Sequence, residues 1–188
     1  MADSHARMQI YSGDIVSLDV DCIVTAANEH LMGGGGVDGA VHDEAGPELV
    51  KASRALAPCP AGQAKLTSGF ELTARFVIHA VGPVYDGGDY GEAEILEKAY
   101  RSSLEIATEK EFQTIAFPCI STGAYGFPQT AACHIAIATV FKWQQDNPKP
   151  ETVIFCCYDD WDARLYRERF EELGLAFSDS STKNPTPG

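Results

Sequence analysis

A run of four glycines at positions 33–36 constrains this chain more than any other stretch of its sequence. The run follows an apolar, strand-like segment at 20–27 and precedes a helical pattern that begins at Val37. Each glycine costs roughly 0.5–1 kcal/mol relative to alanine in ordered structure, but its backbone reaches positive φ and approaches a ligand without a Cβ in the way. A helix that begins directly after such a loop attracts an anion to its N-terminus. The segment therefore predicts a cradle for a phosphate or diphosphate, with Asn28 and Asp38 as the nearest polar side chains.

The charge of the chain restricts what such a cradle can serve. The chain has 188 residues, a formal net charge of −13 and a pI of about 4.6, which does not suit non-specific binding to nucleic acid because that binding depends on Lys and Arg. An anionic small molecule would instead be held by backbone amides and helix dipoles. No apolar run approaches the ~20 residues of a membrane span, so the sequence predicts no membrane partner.

The six cysteines show no C-x-x-C spacing, so a zinc site has little support. They are typical of reduced core thiols in a cytoplasmic protein. The length favours a single domain, which we place at 8–177. The two ends, 1–7 and 178–188, are polar or rich in Ser, Thr, Pro and Gly, and we expect them to be flexible tails.

Strand-like and helix-like segments alternate along the chain, which predicts an α/β fold with a mostly parallel sheet between helices. The predicted strands are 8–12, 20–27, 63–68 (an edge strand), 75–81, 114–118 and 152–158. The predicted helices are 37–44, 48–57, 93–110, 130–145 and 161–173. Because ligands bind beyond the carboxyl ends of parallel strands, the segments that follow four of these strands are expected to meet at one edge.

Those segments contain the candidate ligand-binding residues. A second glycine-bearing loop offers amide and hydroxyl donors to a diphosphate through Ser121, Thr122, Gly123, Ala124 and Tyr125. Asp14 is suited to accept from the exocyclic amine of adenine, and Tyr158 to stack on the base. Asn28 could bind a ribose hydroxyl and Phe127 could wall the sugar. Asp38 could orient or deprotonate a water molecule.

Each of these residues also has an ordinary structural explanation. The ordinary roles are turn or cap residue for Asp14, Asn28 and Asp38, helix-packing residue for His42, satisfied core histidine for His79, and core aromatic for Phe127 and Tyr158. The sequence from Gly34 to Gly39 also matches the dinucleotide fingerprint G-x-G-x-x-G. That match is weak, since the preceding loop is long and the second glycine-bearing loop has no place in such a site. No G-K-[ST] follows the glycines, which argues against a nucleoside triphosphatase.

Together these residues resemble the macrodomains, and within them the MacroD-type bacterial O-acetyl-ADP-ribose deacetylases. The resemblance covers about 8–175. Its motifs are GDI at 13–15, VTAAN at 24–28, LMGGGGVDGAVH at 31–42, AGPEL from 45, CPAG from 59, IHAVGPV at 78–84 and FPCISTGAYGFP at 117–128. It implies a three-layer α/β/α sandwich with a mixed, mostly parallel sheet, in agreement with the alternation described above.

The resemblance also implies ADP-ribose as the ligand and a hydrolase that acts on ester-linked ADP-ribose, either O-acetyl-ADP-ribose or mono-ADP-ribose on acidic side chains of proteins. It places adenine at Asp14, Ile15 and Tyr158. The diphosphate would lie between Gly36–Val37 and the loop at 121–125, and the distal ribose at Asn28 and Asp38. Asp38 would be the catalytic carboxylate and Asn28 would fix the ribose, with no metal or cofactor.

One position departs from the family pattern. The family usually reads N-A-A-N where this chain has Thr25 in place of the first Asn. Threonine keeps a hydroxyl but lacks the amide donors, and we expect a modest effect on the rigidity of the loop. The alternatives are a reader that binds ADP-ribose without turnover and, less favoured, a nicotinamide-dependent oxidoreductase.

Overall fold

Residues 6–181, the part of the chain that the computed structural model describes, contain seven strands in one sheet. The strands are β1 (Met8–Ser12), β2 (Cys22–Ala26), β3 (Ala64–Ser68), β4 (Phe76–Ala80), β5 (Thr114–Phe117), β6 (Thr152–Cys157) and β7 (Ser178–Ser181). Their spatial order is β3-β4-β2-β5-β6-β1-β7. Only β3 runs antiparallel to its neighbour in this sheet; the other pairs are parallel. The predicted mixed, mostly parallel sheet is confirmed, with β3 at an edge.

Five α-helices in the same residues cover the two faces of the sheet. They are α1 (Gly36–Ala45), α2 (Pro47–Arg54), α3 (Glu92–Glu109), α4 (Gln129–Asp146) and α5 (Asp160–Leu173). Side chains of α3, α4 and α5 form one core with the sheet, and side chains of α1 and α2 form a second core on the other side. In β2, for example, Val24 belongs to the first core and Ile23 to the second. This alternation of faces is what a strand buried on both sides requires, and the three-layer sandwich is confirmed.

The chain ends differ from the predicted tails. Ser178–Ser181 forms β7, which pairs in parallel with β1. Its serines and aspartate favour strand weakly, so the pairing with β1 and the ion pair between Arg167 and Asp179, 2.6 Å long, decide its conformation. At the other end, Ala6 is buried and the Arg7 guanidinium donates to four backbone carbonyls. The rest of the predicted tails, 1–5 and 182–188, lies outside the described residues.

No helix within 6–181 combines the length and the apolar character needed to cross a membrane.

Asp21, directly before β2, contacts residues at the start of β4 and β5, at the end of the sheet where these three strands begin. Its carboxylate accepts from the amides of Gln113 at 2.7 Å and Thr114 at 3.2 Å, and it pairs with Arg75. Burial disfavours the ionised form, but the Gln113 amide, the Arg75 guanidinium and the Thr114 amide outweigh it and lower the pKa of Asp21. A carboxylate with a lowered pKa stabilises the fold above its ordinary pKa, and that contribution is lost as the pH falls through the lowered value.

We therefore expect Asp21→Asn to lower the urea midpoint of unfolding at pH 7, with a difference from wild type that shrinks as the pH falls below about 4. Urea titrations at pH 7 and pH 3 measure this. Asp19→Asn is the matched control, because it makes the same charge change at an exposed position nearby. An equal difference between Asp21→Asn and wild type at both pH values would contradict the role given to the carboxylate.

Candidate functional site

Two cavities of about 500 and 450 Å³ lie side by side beyond the carboxyl ends of β1, β2, β5 and β6. They share four residues, which are Gly36, Val37, Cys119 and Gly123. The shared wall makes them two ends of one groove. The first cavity also contacts Asp14, Ile15, Thr122 and Tyr158, and the second also contacts Asn28, Asp38, Ser121, Ala124 and Tyr125. Four separate segments of the chain therefore meet as the sequence predicts.

The first cavity has Asp14 and Tyr158 at its rim. Asp14 caps a short 3-10 helix, Ile15–Ser17, by accepting from the amide of Val16 at 3.2 Å. The carboxylate is exposed, so it has acceptor capacity left for a ligand. Tyr158 is 75% exposed, which excludes the core role that is the default for an aromatic residue. An exposed ring at a cavity rim can stack on a planar group.

Asp162 is a further acid in the wall of the first cavity, and the sequence does not predict it there. Its carboxylate is largely buried and accepts from Gln129 Nε2 at 3.0 Å. Burial and the neighbouring Asp159 raise the pKa of Asp162 to about 6. Asp162 lies in the first turn of α5, where a carboxylate interacts favourably with the helix dipole. Because that role already explains an acid at this position, local pattern alone does not show that Asp162 also faces a groove.

The glycine loop occupies 27–35, between β2 and α1. Gly33 and Gly36 have φ of +81° and +59°, a region that residues with a Cβ seldom adopt. Gly39 is needed for a different reason, because a Cβ there would lie 2.7 Å from the carbonyl oxygen of Gly34. The loop thus folds back onto the first turn of α1, whose leading amides have no partner within the helix and lie at the groove.

The second glycine-bearing loop closes on itself around a turn. The amide of Gly126 donates to the carbonyl of Gly123 at 2.9 Å, and the Thr122 hydroxyl donates to the carbonyl of Cys119 at 3.0 Å. Ser121 has φ of +65°, and its buried hydroxyl has no hydrogen-bond partner among residues 6–181. A buried hydroxyl left without a partner costs free energy. The Ser121 hydroxyl lies against Gly82, and both residues line the second cavity.

Phe127 does not wall the sugar end of the groove, which is the position predicted from the sequence. Its ring is 3% exposed and belongs to the core, with its centroid 5.1 Å from that of Tyr85. It contacts neither cavity. Gly126, with φ of +71°, turns the chain inward before Phe127, whose amide donates to the carbonyl of Ser121 at 2.9 Å. Its contribution is therefore to anchor the loop.

Asp38 is the buried acid of the second cavity, with 3% of its surface exposed. The Thr25 hydroxyl donates to Asp38 Oδ1 at 2.9 Å, and His42 Nε2 lies 3.5 Å from the same oxygen. No hydrogen bond from residues 6–181 reaches Oδ2. That oxygen and Asn28 Nδ2 both face Gly34, since a Cβ on Gly34 would lie 3.8 Å from the first and 3.6 Å from the second.

Asn28 holds the glycine loop directly. Its Nδ2 donates to the carbonyl of Gly33 at 2.9 Å, and its own carbonyl accepts from the amide of Leu31 at 3.1 Å. The predicted role at a bend of the chain is therefore present. Because Nδ2 carries two hydrogens, the same amide can also donate to a ligand in the second cavity.

His79 is fully buried and has a ring nitrogen within 4.8 Å of a carboxylate oxygen of Asp38. Its Nε2 and the Thr67 hydroxyl are 2.9 Å apart, while Nδ1 has no partner among the described residues. His79 is thus a core histidine, as the sequence predicts, but only one of its two ring nitrogens has a hydrogen-bond partner among the described residues. Burial lowers the pKa of His79 to about 4, although Asp38 acts in the opposite direction. The ring is therefore neutral at pH 7.

Asp38, His42 and His79 bring one ligand atom each to within 4.8 Å of one another. Ligands about 2.0–2.1 Å from a tetrahedral zinc ion lie only about 3.3 Å apart. Asp38 Oδ1 already accepts from Thr25, and His79 Nε2 is engaged by Thr67. Ligand atoms spread over as much as 4.8 Å are farther apart than such a zinc ion requires, so a metal would require these groups to move closer.

Comparison with known proteins identifies relatives along nearly the whole chain. The sequence profile of the Macro domain matches residues 24–136. A protein of Enterobacter cloacae named O-acetyl-ADP-ribose deacetylase is 46% identical over 172 residues, covering 89% of this chain and 96% of the relative. The Oceanobacillus iheyensis macrodomain with ADP matches with a TM-score of 0.84 and 37% identity, covering 92% of this chain and 95% of that one. The Trypanosoma brucei macrodomain in complex with ADP-ribose matches with a TM-score of 0.82 and 36% identity, covering 87% of this chain and 68% of that one.

The packing of the glycine loop can be tested by adding a single methyl group. Gly39→Ala places a Cβ against the Gly34 carbonyl, and we expect it to lower the free energy of unfolding by about 1–3 kcal/mol, although alanine is intrinsically the better helix former. Gly35→Ala is the matched control, since its Cβ would meet nothing within 4 Å, and should stay within about 0.5 kcal/mol of wild type. Urea titration measures both, and equal stabilities for the two variants would exclude the close contact.

Proposed function

The chain belongs to the macrodomain family, and we propose that it binds ADP-ribose and hydrolyses esters of ADP-ribose, with O-acetyl-ADP-ribose as a substrate. The observation that carries this proposal is the Asp38 carboxylate, which is anchored through Oδ1 and leaves Oδ2 facing the second cavity beside Asn28. A reader module needs a groove, but it does not need a buried carboxylate fixed in this way. The name of the Enterobacter cloacae relative, O-acetyl-ADP-ribose deacetylase, supports the same activity.

Binding would use the whole groove. Adenine would occupy the first cavity, accept a stacking contact from Tyr158 and donate its amine to Asp14, with Ile15 as the apolar floor. The diphosphate would lie between Gly36–Val37 and the second loop, where both walls of the groove meet. In a protein with a net charge of −13, the diphosphate would be held by the leading amides of α1 and by the donors of Ser121 and its neighbours.

The distal ribose and its ester would then occupy the second cavity. Asn28 would hold a ribose hydroxyl, and Asp38 Oδ2 would orient the attacking water and accept its proton. Water adds to the acyl carbon, the bond between that carbon and the ribose oxygen breaks, and the ribose oxygen takes up the proton that Asp38 accepted. The products are ADP-ribose and acetate. A carboxylate ester also links mono-ADP-ribose to glutamate or aspartate, so we propose that mono-ADP-ribosylated proteins are also substrates.

A reader that binds without turnover is the second candidate function, and the replacement of the usual asparagine by Thr25 is the observation that favours it. The Thr25 hydroxyl nevertheless bonds Asp38 directly, which keeps the carboxylate in place. A nicotinamide-dependent oxidoreductase fits poorly, because 27–35 forms a long loop where a dinucleotide fingerprint needs a tight turn.

The six cysteines are free thiols, and we propose a cytoplasmic location, where thiols stay reduced.

Removal of the carboxylate tests the proposal. We expect Asp38→Ala and Asp38→Asn to lower the release of acetate from O-acetyl-ADP-ribose at least ~100-fold, a loss of about 2.7 kcal/mol of transition-state stabilisation. The release of ADP-ribose from a protein modified on glutamate should fall in parallel. Asp43→Ala, which removes an exposed aspartate from the same helix, is the control and should retain wild-type rates.

The dissociation constant of ADP-ribose, measured by calorimetry on each variant, separates the two candidate functions. Tight binding by wild type without release of acetate or ADP-ribose would identify a reader. Weak binding of ADP-ribose together with tight binding of intact NAD would reject both candidates.

The reaction should also proceed without a metal ion. We expect wild type dialysed against EDTA to retain its rate within about twofold, since Asp38 and the amides of the groove supply every group that the proposed reaction uses. Acetate release before and after dialysis measures this, with Mg²⁺, Mn²⁺ and Zn²⁺ added back separately. Loss of activity on dialysis and its return with one of these ions would overturn this part of the proposal.

A further inference from the structure

We propose that Thr25 is a positioning residue for hydrolysis, fixing Asp38 through Oδ1 so that Oδ2 is the oxygen presented to water. This inference rests on the proposed function and deepens it. It assigns a direct role to the position where the chain departs from the asparagine that is usual in the family.

The contact that carries the inference is fully enclosed. Thr25 has no exposed surface and Asp38 has 3%, and the hydroxyl lies 2.9 Å from Oδ1. Water cannot replace a donor at such a position without entering the core. A hydrogen bond to a charged group contributes about twice as much as a bond between neutral groups. Removal of the Thr25 hydroxyl would therefore act most directly on the Asp38 carboxylate.

The two oxygens of Asp38 are therefore not equivalent. Oδ1 is approached by Thr25 from β2 and by His42 from the next turn of α1. Oδ2 receives no hydrogen bond from residues 6–181 and lies beside Gly34, at the second cavity. A partial rotation of the carboxylate would move Oδ1 out of reach of the Thr25 hydroxyl and break this bond, so the hydroxyl opposes that rotation.

The sheet keeps the hydroxyl from moving. Thr25 pairs with His79 of β4 in the parallel ladder, and the preceding residues of β2 pair with β5 on the other side. A β-branched side chain also has few χ1 rotamers. The donor thus lies in a strand that is paired with β4 at Thr25 itself and with β5 two and three residues earlier, and a rigid element of this kind can hold a catalytic group within a fraction of an ångström.

Three variants separate positioning from general loss of structure. Thr25→Val keeps the shape of the side chain and removes the hydroxyl, whereas Thr25→Ser keeps the hydroxyl. Thr67→Val is the matched control, because Thr67 is a second buried threonine whose hydroxyl bonds His79 and not Asp38. The readouts are kcat for O-acetyl-ADP-ribose, the dissociation constant of ADP-ribose and crystal structures of wild type and Thr25→Val.

We expect Thr25→Val to lower kcat at least ~10-fold, because displacement of a catalytic group by about 1 Å is costly, while the dissociation constant changes less than about 2-fold. Thr25→Ser and Thr67→Val should keep kcat within about 3-fold. In the crystals, Asp38 should hold its place in wild type and rotate in Thr25→Val. Three results would each overturn the inference: an unchanged kcat in Thr25→Val, an equal fall in Thr67→Val, or a loss confined to binding.

The structural readout keeps this inference distinct from the proposed function. If wild type hydrolyses nothing, the proposed function fails, and the crystals then decide the role of Thr25 alone. A rotated Asp38 in Thr25→Val would support positioning even then, and an unmoved carboxylate would reject it.

Discussion

A buried carboxylate is the constraint around which this molecule is arranged. Asp38 occupies the core-facing side of α1, in line with the buried residues Val41 and Ala45, and an ionised group there is costly unless it is held by donors. Its position in the first turn of the helix and the hydroxyl of Thr25 meet that requirement. The preceding loop turns into the helix through Gly33 and Gly36, both of which have a positive φ.

The chain is acidic, so its net charge does not favour the binding of a diphosphate. A net charge of −13 repels an anion at long range, and Asp14, Asp159 and Asp162 all line the first cavity. Salt screens such interactions beyond about 8 Å, whereas amides and hydroxyls at hydrogen-bond distance act without that attenuation. Recognition would therefore depend on backbone geometry, which is why the two loops carry residues with positive φ such as Gly36 and Ser121.

The strands and helices of this fold could be predicted because the spacing of apolar residues that distinguishes them is contained in a short stretch of sequence. The strand Met8–Ser12 has its expected bounds, and the helix expected at 93–110 spans Glu92–Glu109. What failed depends on tertiary contacts. A Ser- and Asp-rich segment became the strand β7 because β1 was available to pair with it. Phe127 entered the core because the turn before it points inward. Asp162 faces a groove and Thr25 bonds Asp38 only because distant segments meet, and no local pattern encodes either contact.

The two ends of the groove differ in how they are built, and this difference would separate affinity from turnover in the proposed reaction. The first cavity depends on exposed loop side chains such as Tyr158, which can adjust without disturbing the core. At the other end, Asp38 is fixed by a residue in the middle of the sheet, and the pairing of Thr25 with His79 sets the position of that donor. A shift of that register by one residue would turn Thr25 to the opposite face. Substitutions in the first cavity should therefore change mainly affinity, whereas the geometry that the proposed hydrolysis needs would depend on the register of the sheet.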